Sequence, residues 1–179
     1  MNIPAIEIGS KHLCSIGMER IQTRVRYLTG WLIDQLAALR QENDRPVCVI
    51  HGPTTTQMRG GTIMVTFMDP AGNPISGSLV EKMAAQRNIS LRTGCFCNPG
   101  AGETAFGLDE VYMKQKFAER GHLPFEQLAA EIRAERGVDV SAVRVSLGLV
   151  TNFADVYRFM QFAAGIVGEI NALNQEVQI

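Results

Sequence analysis

Apolar positions recur every three to four residues through the first forty residues of the chain. Ala5, Ile6, Leu13 and Ile16 start the pattern behind Pro4, and Gly17 interrupts it, which predicts a helix over 4–17. Ile21, Val25, Leu28, Trp31, Leu32, Leu36 and Leu39 then predict a longer amphipathic helix over 18–42. Arg20, Arg24, Arg26 and Arg40 form its solvated side. Beyond it the period changes. Residues 46–50 are a short run dominated by apolar side chains, closed by His51-Gly52-Pro53, and read as a buried strand. Residues 62–67 are a second strand, followed by a turn at 69–74 and a helix over 78–87. Alternation from Ile89 into Arg92-Thr93-Gly94 predicts a third strand, and small residues at 100–107 read as a loop. Helices are expected over 109–119 and 124–135, and a last strand over 142–148 with Arg144 and Ser146 on one face. Asn152 and Asp155 have the spacing of a helix cap and open the final helix. The economical architecture is α+β: a small sheet covered on one face by helices.

Composition narrows the classes. At 179 residues, of which 46% are hydrophobic, the chain can build a core. A formal net charge of −1 gives no electrostatic reason to bind nucleic acid or an anionic membrane. No window reaches the roughly 20 apolar residues of a membrane span, and no basic-then-apolar leader opens the sequence. The four cysteines, at 14, 48, 95 and 97, form no disulfide framework of the secreted kind, so a cytoplasmic protein with reduced thiols is expected.

Chemistry concentrates in residues 92–100, Arg-Thr-Gly-Cys-Phe-Cys-Asn-Pro-Gly. A strand ending at a glycine turn delivers two thiols onto a loop, where rigid scaffolds commonly display reactive groups. Arg92 is near enough in sequence to favour a thiolate, the reactive form of cysteine. The competing reading makes Cys95 and Cys97 small apolar fillers. A zinc site built on them needs two further ligands, and neither His51 nor His122 has the spacing to provide one. No metal is expected. His12, His51 and His122 read as structural or exposed.

That stretch resembles the C-terminal, small-domain part of class V, fold-type I pyridoxal-phosphate enzymes of the cysteine desulfurase group. It is closest to the desulfurase-like domain of molybdenum cofactor sulfurases. Residues 2–9, 59–63 and 143–148, with 152–156, resemble the same family in the same order. The resemblance implies a mainly antiparallel small-domain sheet over 43–179, with residues 1–42 as two connecting helices from a large domain. It implies pyridoxal phosphate as electron sink, L-cysteine as substrate, and a thiolate that attacks the substrate sulfur to leave a persulfide and alanine. Cys97 matches the persulfide-carrying cysteine, with Cys95 as second candidate. Arg144 matches the arginine that clamps the substrate carboxylate, and Arg92 is a weaker candidate for the same task. The family's cofactor lysine has no counterpart here, because Lys11, Lys82, Lys114 and Lys116 lie in other contexts. The chain is therefore expected to be a C-terminal fragment, inactive alone and without bound cofactor. Exposed apolar surface over 3–39 is expected to drive homodimerisation. The resemblance does not name the sulfur acceptor. Two other readings fit the residues: a class V aminotransferase, lyase or epimerase on another amino acid, or a stand-alone sulfur-accepting or protein-binding module.

Overall fold

The computed structural model describes residues 3–94, 99–121 and 124–176. Two helices, α1 (Ile3–Ile16) and α2 (Met18–Ala38), lead into strands β1 (Cys48–His51) and β2 (Thr62–Phe67). Helix α3 (Gly77–Ala85) and the short strand β3 (Arg92–Gly94) follow. Three helices, α4 (Pro99–Phe106), α5 (Glu110–Arg120) and α6 (Phe125–Arg136), separate β3 from β4 (Ala142–Ser146), and α7 (Phe153–Glu176) closes the chain. The four strands form one antiparallel sheet in the order β1-β2-β4-β3. This is the α+β architecture expected from the sequence.

Strand periodicity sorts the side chains. Ile63, Val65 and Phe67 of β2 and Val143 and Val145 of β4 share one face and are buried. Leu32, Ile33 and Leu36 of α2, Val80 and Met83 of α3, and Phe159 and Ile166 of α7 cover that face in a single core. Each such side chain contributes about 1.5–3 kcal/mol on burial, so this layer holds the sheet. A smaller core forms on the opposite face. There Phe106, Leu108, Leu128, Ile132, Val140 and Ala142 pack together with Met64 at their margin. The helical insert thus wraps one end of the second face and leaves the β3 side of that face outside its core.

Local signals set the boundaries. Asn152 N–H donates to Asp155 Oδ2 at 2.9 Å, and Asp155 N–H donates back to Asn152 Oδ1 at 3.1 Å. This reciprocal pair starts α7. Helix α2 ends at Ala38 rather than 42, because Leu39 turns extended and its carbonyl accepts from Val47 N–H at 3.2 Å. The α1 residues Ile6 and Ile8 lie exposed.

One glycine is required by the sheet itself. Leu147 N–H donates to Gly61 O at 2.8 Å, drawing the ends of β2 and β4 together. A methyl group on Gly61 would sit 2.3 Å from Leu147 O and 2.7 Å from a Val25 methyl. Gly61→Ala is expected to cost about 1–3 kcal/mol through this overpacking, read as a lower urea midpoint. An unchanged midpoint would mean that the strand ends relax apart without penalty.

Candidate functional site

The second face of the sheet gathers the polar side chains. Cross-strand register places His51 opposite Met64, Met64 opposite Arg144, and Arg144 opposite Arg92. Directly opposed residues of antiparallel strands share a face, with Cβ atoms about 4.5–5.5 Å apart. The four side chains therefore form one row across the sheet, ending in a pair of arginines. Arg144 is half-buried on β4 and Arg92 is exposed on β3. Like charges directly opposite each other on a ladder are destabilising. Carboxylates suit guanidinium groups because the planar fork can donate two parallel hydrogen bonds.

The neighbours of this pair are fixed by packing. Thr93, between Arg92 and Gly94, points to the other face, where its hydroxyl donates to Glu81 Oε2 of α3 at 2.6 Å. That bond ties β3 to α3. Gly94 has φ +111°, a conformation that glycine adopts without strain. Residues 95–98 then connect β3 to α4. Cys95 and Cys97, the two thiols singled out in the sequence, lie outside the described residues, as does His122. Helix α4 returns along the same face, and Phe106 meets the His51 ring edge-on at 5.5 Å.

His51 closes the far end of the row as a structural group. Its Nε2 is 2.8 Å from Thr66 Oγ1, and burial lowers its pKa from the ordinary value of 6.5. A base with a lowered native pKa declines a proton that the unfolded chain accepts, so stability is lost as pH falls through the ordinary imidazole value. The urea midpoint is expected to drop between about pH 7.5 and 5.5, and His51→Gln is expected to flatten that drop. Equal slopes for both proteins would remove His51 as the cause.

Cys48 is a packing residue. Burial pushes its thiol up to about 11, against a smaller opposing pull from Arg40, and its Sγ lies 3.8 Å from Leu36 O. Cys14 is exposed on α1. Among the described residues no group of three or more His, Cys, Asp or Glu side chains is placed to hold a metal. No described helix is long and apolar enough to cross a membrane.

The lysines test whether this chain can anchor pyridoxal phosphate. Lys11 pairs with Glu7 at 2.6 Å and Lys114 with Glu110 at 2.6 Å, each along its own exposed helix. Lys116 pairs with Glu135 and, at 3.3 Å, with Glu131, and its hydrogen bond to Glu135 raises its pKa. Lys82 is exposed in the last turn of α3. Lys11, Lys114 and Lys116 are each engaged by a carboxylate and Lys82 lies exposed on α3, and none of the four lies in the row that holds the arginines. The residues present do not fit the cofactor's anchor.

The fold is similar to part of a cysteine desulfurase. The apo structure of cysteine desulfurase from Thermococcus onnurineus NA1 superposes with a TM-score of 0.58 at 16% identity, over 89% of this chain and 29% of that one. The sequence is similar to molybdenum cofactor sulfurases from three kingdoms. It is 32% identical to the Solanum lycopersicum protein over 162 residues, which is 90% of this chain and 19% of that protein. It is 35% identical to the Neurospora crassa protein over 146 residues, or 81% and 15%. The Homo sapiens protein is 32% identical over 149 residues, or 82% and 16%. This chain thus spans a fifth or less of the length of these relatives. No family model matches it.

Sequence reasoning named Arg144 and Arg92 separately, and the register brings them together. Their pairing could not be read from the chain, where 52 positions separate them (144 minus 92). The Thr93–Glu81 bond and the Phe106–His51 contact were also missed.

Proposed function

We propose that this chain serves as the small-domain segment of a pyridoxal-phosphate-dependent enzyme that takes sulfur from L-cysteine. The observation that carries this reading is the Arg92–Arg144 pair on one sheet face, with Arg92 three positions before Cys95 in sequence, in a chain similar to molybdenum cofactor sulfurases. Arg144 binds the substrate carboxylate through its fork, and Arg92 adds a second positive charge at the open edge. Cys97 carries the transferred sulfur, with Cys95 as the alternative. The new S–S bond forms as the substrate's C–S bond breaks. The electron pair of that bond stays with carbon, which takes a proton and leaves as alanine, so no external oxidant enters.

The cofactor would supply the electron sink and be held by a part of the enzyme other than this chain. The relatives' greater length supports that division of labour. The chain by itself is then inactive, and the complete enzyme pairs as a homodimer in the cytoplasm, with exposed Ile6 and Ile8 of α1 as part of the contact. The test is to give cysteine to the complete enzyme and measure alanine and protein persulfide together. Equal amounts in the first turnover support sulfur transfer. An altered amino acid with no persulfide would point to aminotransferase, lyase or epimerase chemistry.

A further inference from the structure

The helices that cover the first face carry a second unusual surface, on the opposite side of the sheet from the arginine pair. Arg20, Arg24, Tyr27 and Trp31 recur at helical spacing and form one stripe along α2. Trp31 meets Phe153 of α7 at 4.8 Å between ring centroids, and Phe153 stacks on Tyr157 at 6.2 Å. Arg24 Nε donates to Thr151 O at 3.0 Å, which clamps the stripe to the turn before α7. The result is a run of four rings across two helices. Tyr27 is 69% exposed, Phe153 and Tyr157 about half exposed, and Val150 in the adjoining turn 88% exposed.

Charge marks this surface further. Lys11, Arg87, Lys114, Lys116, Arg133 and Arg136 each pair with a carboxylate. Among the described residues, Arg20, Arg24 and Arg26 do not, a feature they share with Arg40, Arg45 and Arg59; here three such arginines lie within seven residues of one helix, beside the rings. The Arg26 guanidinium instead rests 5.7 Å from the centre of the Tyr27 ring. Arginine, tyrosine and tryptophan are the side chains that concentrate binding energy at protein interfaces. A second copy of the chain docked by two-fold symmetry would set these arginines against one another, so self-pairing is disfavoured here.

We infer that the Tyr27–Trp31–Phe153–Tyr157 surface docks an acidic segment of another protein. Apolar side chains of the segment lie on the rings, and its carboxylates meet Arg20, Arg24 and Arg26. The site reports on itself, because Trp31 is the only tryptophan in the chain. A short synthetic peptide alternating glutamate and leucine is titrated against the folded chain while Trp31 emission is followed. The expected result is a saturable change that weakens about tenfold or more in the Arg20→Glu, Arg26→Glu variant, a loss of about 1.4 kcal/mol. It should also weaken with added salt. Both positions are exposed, and circular dichroism checks that the variant folds. Equal response to a lysine–leucine peptide would overturn the proposal, as would no response to the acidic one. A change seen only with anionic lipid vesicles would make this a membrane face. Emission that shifts with protein concentration alone would make it a contact between copies.

Discussion

Replacing Arg144 by alanine in the complete enzyme is expected to raise KM for cysteine by about 10- to 150-fold, the equivalent of the 1.5–3 kcal/mol of a hydrogen bond to a charged group. The turnover number should change much less, because a carboxylate clamp acts on bound substrate and reacting complex alike. Arg144→Lys should recover only part of the loss, since an ammonium supplies charge without the planar fork. Arg92 separates binding from stability. It faces Arg144 across the β3–β4 ladder, so Arg92→Gln should leave the urea midpoint unchanged or slightly raised while raising KM a few-fold. Steady-state kinetics and urea denaturation of the same preparations check both halves. A variant set in which KM is unchanged would leave the arginines as structural residues and remove the substrate site from this face.

The second large effect is expected at Cys97. Cys97→Ser should abolish persulfide and sulfur-dependent alanine release, because a hydroxyl at ordinary pH is a far weaker nucleophile than a thiolate. The cofactor's absorbance should remain, since no residue of this chain fits its anchor. Cys95→Ser should retain most of the activity if Cys97 is the acceptor. Full activity in the double variant would place the chemistry elsewhere in the family.

How much of this was legible in the sequence varied with how local the signal was. The β2 strand stands where its alternation ends against Asp69-Pro70, and the α7 cap was visible in the Asn152–Asp155 spacing. Both depend on neighbours a few residues apart. Helix α4 was hidden by Gly100 and Gly102, poor helix formers that read as loop. It is held by a Thr104 hydroxyl bond to Gly100 O and by Phe106 buried against His51. Tertiary contact outweighed propensity there. Strand β3 is shorter than its alternation suggested, because Ile89 N–H is taken by Ala84 O at the end of α3. That bond keeps the chain on the helix before it joins the sheet. The arginine pair belongs to the least legible kind of feature. Register between β3 and β4 depends on the three-helix insert between them, and no local pattern encodes it.

The cysteine pair was legible only as chemistry. Its spacing and neighbours suggested a reactive thiol; the described residues stop at Gly94, where Thr93 ties β3 to Glu81 of α3.

The most direct measurement is a map of where sulfur lands. The complete enzyme is given cysteine labelled with heavy sulfur, trapped with an alkylating reagent and digested, and each cysteine peptide is weighed. One added heavy sulfur on the peptide carrying Cys97, retained in Cys95→Ser and lost in Cys97→Ser, is the predicted result. Heavy sulfur on Cys14, Cys48 or no cysteine of this chain, while alanine still forms, would contradict the assignment.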